Sequence, residues 1–274
     1  MTHGLEAAQV FGPALLFCPG DRPERFRRAA GAADTVIIDL EDAVGPDAKP
    51  SARESLIASA LDPARTIVRV NPPATGLLEY DIAALRQTAY TTVMLAKAET
   101  ESDVAPLDGF RVIAICESPL GVQNADLLAS LDSVIALTWG AEDLVAALGG
   151  SSSRSADGRF RQFALYARSR VLIAAASAAK PTFDTVHLDI ADDAGLRDEA
   201  EDAAASGFAG AMCIHPRQVA IIRAAFRPTE EAVEWALSVL AAAAASTTAV
   251  FAHEGRMVDE PVLRQARRII ETHS

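Results

Sequence analysis

Short apolar runs alternate with amphipathic stretches eight times along this sequence, and that repeat narrows the possible folds more than any other feature. The runs are apolar on both faces, which is typical of strands in a parallel sheet covered by helices. They span residues 14–18, 35–40, 66–70, 91–96, 111–116, 134–138, 185–188 and 211–214. Eight successive strand–helix units predict an α/β fold, the (β/α)8 TIM barrel. An open, doubly wound sheet is the alternative, although no glycine-rich dinucleotide-binding motif follows the first run.

The last part of the chain does not follow the repeat. Two further helices are predicted over 230–245 and 262–272, with the segment 250–261 between them. Since a barrel does not need them, we expect a catalytic barrel over 1–228 and a C-terminal helical extension over 229–274 that forms a lid or packs on a neighbouring subunit. The small, polar stretch 151–158 is predicted to be a mobile loop at the open end of the barrel, with a simple linker as the alternative.

Charge and cysteine content limit the partners and the compartment. The net charge of -12 argues against nucleic acid or an anionic membrane as a partner, and no apolar run approaches the ~20 residues that span a bilayer. No basic cluster precedes the first apolar run, so a signal peptide is not predicted. The three cysteines are widely spaced and lie in or next to apolar runs, which favours buried free thiols and a cytoplasmic protein.

Polar residues follow the predicted strands where each strand ends. In a barrel of parallel strands these ends meet at one face, which is the usual place for catalysis. The residues are Asp39, Glu41, Asp42, Arg69, Asn71, Lys97, Glu117, Glu142, Asp143 and His215. So many carboxylates repel one another unless a cation neutralises them, and oxygen ligands without a His or Cys cluster favour Mg²⁺ or Mn²⁺ over zinc. Any one of these acids could equally cap a helix or pair with a base, but the set predicts a metal-dependent site.

Six segments spread over the chain resemble the HpcH/HpaI aldolase and citrate lyase family. They are LFCPGDRP (16–23), IDLEDAV (38–44), VRVN (68–71), GAEDL (140–144), IHPRQ (214–218) and GRMVDEP (255–261). Within that family the sequence is most similar to the citrate lyase β-subunit-like proteins and to the malyl-CoA, citramalyl-CoA and 3-hydroxyacyl-CoA lyases. Each motif alone is weak, whereas six in the family's order are specific. Departures at Cys18, Ala96, Ser118 and Trp139 bear on the side group of the substrate rather than on the reaction.

The resemblance implies a set of site residues. Glu117 and Asp143 match the positions that hold Mg²⁺, for which Mn²⁺ can substitute. Three residues are implied to be catalytic: Arg69 stabilises developing negative charge, Asp259 reaches a neighbouring subunit's site and handles the acetyl-CoA methyl proton, and Glu41 holds water. Substrate binding is implied for Arg69, Glu117 and the backbone of Gly140, Ala141 and Glu142.

The implied reaction is cleavage of a 3-hydroxyacyl-CoA thioester, such as a malyl-, citramalyl- or 3-hydroxy-3-methylglutaryl-CoA, to acetyl-CoA and a keto acid, or the reverse condensation. The alternatives are a citryl-thioester lyase subunit of a citrate lyase complex, a class II hydroxy-keto-acid aldolase and a catalytically silent assembly module. A Schiff-base route through Lys97 is disfavoured because nearby acids would keep its amine charged. We expect a homo-oligomer of three or six subunits, with Arg22, Arg25 and Arg154 as candidate contacts for the CoA phosphates.

Overall fold

The repeated apolar runs form a closed barrel of eight parallel strands. The structure is a computed structural model that describes residues 11–273. The strands are β1 (Ala14–Pro19), β2 (Thr35–Asp39), β3 (Thr66–Val70), β4 (Thr92–Leu95), β5 (Arg111–Cys116), β6 (Val134–Trp139), β7 (Thr182–Asp184) and β8 (Gly210–Cys213). They pair in sequence order, and β8 closes the ring against β1. The barrel prediction is therefore confirmed, and the open sheet is wrong.

Ten α-helices follow the strands in the described part of the chain up to residue 226. They are α1 (Phe26–Ala32), α2 (Lys49–Ile57), α3 (Leu78–Leu85), α4 (Glu101–Val104), α5 (Pro119–Gln123), α6 (Ala125–Ser130), α7 (Ala141–Ala147), α8 (Gln162–Ser177), α9 (Asp193–Ser206) and α10 (Pro216–Phe226). Side-chain caps fix several starts, as where the Asp192 carboxylate accepts from the Gly195 N–H (2.9 Å) before α9. That helix ends at Ser206 and is capped by Gly207, whose φ of 102° needs a glycine.

The seventh strand lies earlier than the sequence pattern predicts. The expected strand 185–188 is a loop, and β7 is Thr182–Asp184 instead. Val186 and Leu188 give this loop the look of an apolar run in the sequence, but Leu188 is 50% exposed whereas His187 is 6% exposed. The side chain of Gln218, not a neighbouring strand, bonds the His187 carbonyl (2.8 Å). The acid that ends this strand is therefore Asp184.

Apolar side chains from all eight strands fill the inside of the barrel. They include Leu15, Ile37, Ile67, Met94, Ile113, Ala136, Phe183 and Met212. Because side chains alternate along a strand, the residue two positions further on lies on the same inner face. That step leads from Ile37 to Asp39 and from Ile67 to Arg69, and Ile115 of the same inner cluster leads to Glu117. The apolar filling thus ends in charged side chains at the carboxyl ends of the strands.

Residues from Ala224 onward belong to a second compact unit. Helices α11 (Glu230–Ala245) and α12 (Glu260–His273) pack on each other, and a hairpin of β9 (Phe251–His253) and β10 (Arg256–Val258) joins them. Ala236, Val239, Val258 and Ala266 form their buried core. The two helices agree with the sequence prediction, whereas the hairpin lies in a segment for which no strand is predicted.

Two further expectations concern the membrane and the cysteines. None of the helices within residues 11–273 combines the length and apolarity needed to cross a bilayer. Cys18, Cys116 and Cys213 are buried free thiols, as predicted. Burial raises the pKa of the Cys18 thiol to about 11, so it stays protonated and unreactive at neutral pH.

Candidate active site

Arg69 is held in a fixed position by two buried acids. It pairs with Asp39 across β2 and β3, and its Nε and Nη2 reach the two Asp39 oxygens at 2.8 and 2.5 Å. Its Nη1 lies 3.1 Å from Glu41 Oε2, and the guanidinium stacks over the Phe17 ring at 4.8 Å. Burial alone would lower the pKa of Arg69, but the bonds to Asp39 and the charge of Glu41 raise it above the ordinary value. The site therefore contains a permanent, oriented positive charge.

The Lys97 ammonium lies among three carboxylates and pairs with each of them. Its Nζ lies 2.5 Å from Glu41 Oε1, 3.2 Å from Asp42 Oδ2 and 3.1 Å from Asp143 Oδ1. Burial opposes the charged form, yet the bond to Glu41 and the charges of Glu117 and Asp143 raise the pKa of Lys97 above its usual range. The amine is thus a strong cation and a poor nucleophile, which argues against a Schiff-base role.

Glu117 is a third buried acid of the cluster, beside Asp39 and Glu41. It follows β5, is 4% exposed, and accepts a hydrogen bond from the Lys97 backbone N–H (2.9 Å). Burial, and then the charge of Asp143, raise the pKa of Glu117 to about 8, although Lys97 and Arg69 act in the opposite direction. Gly140 leaves room for it, because a Cβ at that position would lie 2.5 Å from Glu117 Oε2.

A cavity of about 230 Å³ opens beside these groups. Glu117, Asp143 and Lys97 line its charged side, and Pro72 and Ala147 are among the apolar residues on its wall. Asp143 lies in the first turn of α7, and its side chain is 34% exposed. Glu99 and Asp103 also line the cavity, but they accept hydrogen bonds from the Ser118 hydroxyl and the Thr100 N–H. The carboxylates of Glu117 and Asp143 are therefore the two that the cavity offers to a small polar ligand.

Glu117 and Asp143 are suited to a hard divalent cation. No group of three or more His, Cys, Asp and Glu side chains within residues 11–273 is arranged to hold a metal by itself. Mg²⁺, however, is usually held by one or two carboxylates and completed by water and substrate oxygens. A bound cation would also relieve the repulsion and burial that raise the pKa of Glu117. The residues therefore fit a magnesium ion.

Comparison with known proteins places the chain in a family. The family model for HpcH/HpaI aldolase/citrate lyase matches residues 14–216, and the model for C–C bond lyases of the TIM-barrel fold matches residues 160–273. This chain belongs to the HpcH/HpaI aldolase/citrate lyase family. The resemblance of the six sequence segments is thereby confirmed.

Several proteins of known name or known structure are similar to this chain. The citrate lyase subunit beta-like protein of Mycobacterium tuberculosis is 51% identical over 94% of both chains. Human mitochondrial citramalyl-CoA lyase is 28% identical over 94% of this chain and 84% of its own length. A crystal structure of Mycobacterium tuberculosis CitE in complex with magnesium, acetoacetate and coenzyme A is 49% identical, with a TM-score of 0.93, and covers 96% of this chain and 98% of that chain.

Some strand-end residues of this lyase-family chain do not join the charged centre. Asn71 is buried and bonds Asp81 and the Leu40 carbonyl. His215 is exposed, and its Nδ1 accepts from the Arg217 backbone N–H. The Glu142 carboxylate is turned to Ser153, whose hydroxyl donates to it at 2.6 Å. These three side chains therefore have structural partners instead of facing the metal pair.

The candidate CoA contacts are unequal. Arg154 bonds Glu199 and stacks over the Phe160 ring at 3.9 Å, so its side chain is already engaged. Arg22 and Arg25 lie in the turn after β1 with side chains 55% and 63% exposed, and their acidic neighbours in sequence are 3.9 to 4.0 Å away. Of the three arginines, these two are the better placed for a phosphate.

A buried polar network surrounds Lys49 next to the site, and the sequence pattern does not predict it. The Lys49 ammonium donates to the carbonyls of Leu40 and Glu41 and to Asn71 Oδ1 at 2.7 to 2.8 Å. Asn71 in turn donates to the fully buried Asp81 (2.7 Å). Lys49 thus fixes the backbone from which Glu41 projects. The only available signal was a lysine ten residues after a strand-end acid, which does not indicate where its side chain points.

We expect Lys49→Met to lower the free energy of unfolding by about 2 to 4 kcal/mol, because three buried acceptors lose their donor. Urea denaturation measures the loss. The matched control is Lys180→Met, since Lys180 donates only to the Leu131 carbonyl (2.6 Å) among the described residues and should cost about 1 kcal/mol. Equal losses in the two variants would contradict a special role for the Lys49 network.

Proposed function

We propose that this protein is a Mg²⁺-dependent carbon–carbon lyase that cleaves a 3-hydroxyacyl-CoA thioester to acetyl-CoA and a keto acid, or catalyses the reverse condensation. The observation that carries the proposal is the buried carboxylate of Glu117 beside Asp143 at the wall of a cavity, next to a fixed arginine. Membership of the family and the magnesium, acetoacetate and coenzyme A bound by the Mycobacterium tuberculosis CitE support the same chemistry.

Glu117 and Asp143 would hold the ion, and the backbone of Gly140, Ala141 and Glu142 would receive the substrate carboxylate. Gly140 is extended and immediately precedes α7, so the peptide N–H groups that follow it begin a helix and lack helical partners. When bound, the ion would supply Lewis-acid stabilisation of the substrate oxygen at the carbon that becomes the keto carbon.

Arg69 would stabilise the second oxygen, that of the thioester. Bond cleavage removes the hydroxyl proton and moves the electron pair of the carbon–carbon bond into the thioester, which becomes an enolate. Because Asp39 and Glu41 already orient the guanidinium, no reorganisation is needed when this charge forms. Glu41, held by Arg69 and Lys97, would position the water that takes up the hydroxyl proton.

Asp259 would return a proton to the enolate carbon to form the methyl group of acetyl-CoA. It directly precedes α12, and its carboxylate lies 3.4 Å from the Val262 N–H. We place it in the site of a neighbouring subunit, so that the active form is a homo-oligomer of three or six subunits. Asp259 is the single residue that connects β10 to α12, and in this position the C-terminal extension would present it as a lid.

The test is a panel of malyl-, citramalyl- and 3-hydroxy-3-methylglutaryl-CoA with acetyl-CoA release as the readout. We expect one thioester to be cleaved with Mg²⁺ and the rate to fall to background after chelation by EDTA, since an arginine alone stabilises only one of the two oxygens. A relative named citrate lyase subunit beta, from Leuconostoc mesenteroides, is 31% identical. If the protein cleaved only a citryl thioester carried by a carrier protein, that thioester and not a CoA thioester would be the substrate. Release of acetyl-CoA without a metal ion would contradict the mechanism.

A further inference from the structure

Lys97 contacts both of the carboxylates to which the metal is assigned, and it does so through different atoms. Its backbone N–H donates to Glu117 Oε1 at 2.9 Å. Its side-chain Nζ lies 3.1 Å from Asp143 Oδ1. The chain has only three lysines, and this one alone lines the cavity.

The backbone of Lys97 adopts an unusual conformation at this contact. Its φ is 50°, in the left-handed region that non-glycine residues enter at a cost. Only Ala179 and Glu254 share that property among the other non-glycine residues that the structure describes. In this conformation the N–H points to Glu117, so the strained turn gives a buried acid its hydrogen bond.

The ammonium of Lys97 is not committed to Asp143 alone. Glu41 lies closer, at 2.5 Å, and Asp42 lies at 3.2 Å. Both Lys97 and Asp143 are about one-third exposed, whereas Glu41 is buried. The ammonium could therefore give up Asp143 and still keep two carboxylate partners.

We propose that Lys97 is a resident cation that competes with the metal ion for Asp143. In the metal-free protein the ammonium neutralises Asp143 and keeps the pair of acids from repelling each other. When the ion arrives, Asp143 exchanges the ammonium for it, and Lys97 remains on Glu41 and Asp42. Lys97 is then a positioning residue that sets the affinity for Mg²⁺. This inference rests on the proposed function.

The expected sign separates competition from a merely structural role. Removing the charge of Lys97 takes away both a competitor and a repelling cation, so Mg²⁺ should bind about tenfold more tightly. If Lys97 served only to build the site, its loss would disorder Glu117 and Asp143 and weaken binding.

Mg²⁺ affinity is measured by calorimetric titration of the metal-stripped, full-length protein with MgCl₂, at a pH where Glu117 is ionised. We expect Lys97→Met and Lys97→Gln to bind about tenfold more tightly than the wild type, since both lack the charge. Lys97→Arg, which keeps it, should stay close to the wild type. Lys180→Met is the matched control, because Lys180 lies before β7 and bonds only a main-chain carbonyl among the described residues; its affinity should be unchanged.

Two results would overturn this inference alone, and a third would overturn the proposed function as well. Unchanged or weaker Mg²⁺ binding by both uncharged variants, with thermal unfolding that shows them folded, excludes competition by Lys97. If Lys97→Arg bound Mg²⁺ as tightly as the two uncharged variants do, the size of the side chain and not its charge would control the affinity. No binding of Mg²⁺ or Mn²⁺ by the wild type would instead overturn the proposed function and this inference together, so the two failures can be told apart.

Discussion

Asp143→Ala is expected to abolish metal-dependent thioester cleavage, with a loss of about a thousandfold or more in kcat/KM, while the barrel stays folded. Asp143 lies in the first turn of α7 with a third of its side chain exposed. Its ion pair is with Lys97, which has Glu41 and Asp42 as further partners. Removing the carboxylate therefore takes away half of the proposed metal pair and little of the packing.

The measurements are turnover with Mg²⁺, calorimetric metal titration and thermal unfolding. The companion variant is Asp259→Asn, which should lose turnover but keep the Mg²⁺ affinity of the wild type, since Asp259 is assigned to the proton and not to the ion. Together the two variants separate the metal step from the proton step. Wild-type turnover by Asp143→Ala would refute the assignment of the site.

The location of these charged residues could be predicted because side chains alternate along a strand, so that every second residue faces the inside of the barrel. Once β2, β3 and β5 are placed, counting two residues along the inner face from Ile37, Ile67 and Ile115 leads to three charged residues of the site. The closed barrel follows from the same pattern, since runs that are apolar on both faces need a covered parallel sheet.

The seventh strand could not be placed because its own residues give a weak signal. β7 has three residues, one of them the buried acid Asp184, whose burial Arg168 and the Trp139 indole make tolerable. The loop that follows contains the apolar residues Val186 and Leu188, so the sequence pattern alone prefers the wrong segment. Only the tertiary partners of Asp184 distinguish the two.

The contacts of Lys97 and Lys49 also cannot be predicted from the sequence. A positive φ at a lysine has no local cause in the residue type, and the amide contact to Glu117 exists only once β4 and β5 are side by side. Lys49 is the first residue of α2, yet its side chain reaches the Leu40 and Glu41 carbonyls just after β2. The spacing of residues along the sequence does not show which groups the end of a long side chain contacts.

Arg69→Lys is expected to reduce kcat by about a hundredfold to a thousandfold, although it keeps the charge. Arg69 reaches both oxygens of Asp39 and one of Glu41 at once, and its plane stacks over Phe17. A single ammonium cannot make that set of bonds in one orientation. The enolate would then form beside a charge that has to move toward it, and the benefit of a fixed donor would be lost.

The control is Arg168→Lys, because Arg168 is an equally buried partner of a strand-end acid. Both arginine side chains are 12% exposed, both bond two oxygens of an aspartate, and both stack over a phenylalanine ring at 4.8 Å. The two variants should lose similar stability, roughly 1.5 to 3 kcal/mol for a bond to a charged group, as urea denaturation would measure. Only Arg69→Lys should lose most of its turnover at saturating substrate. Equal losses of kcat in both would mean that the arginine acts through the fold of the barrel rather than on the thioester oxygen.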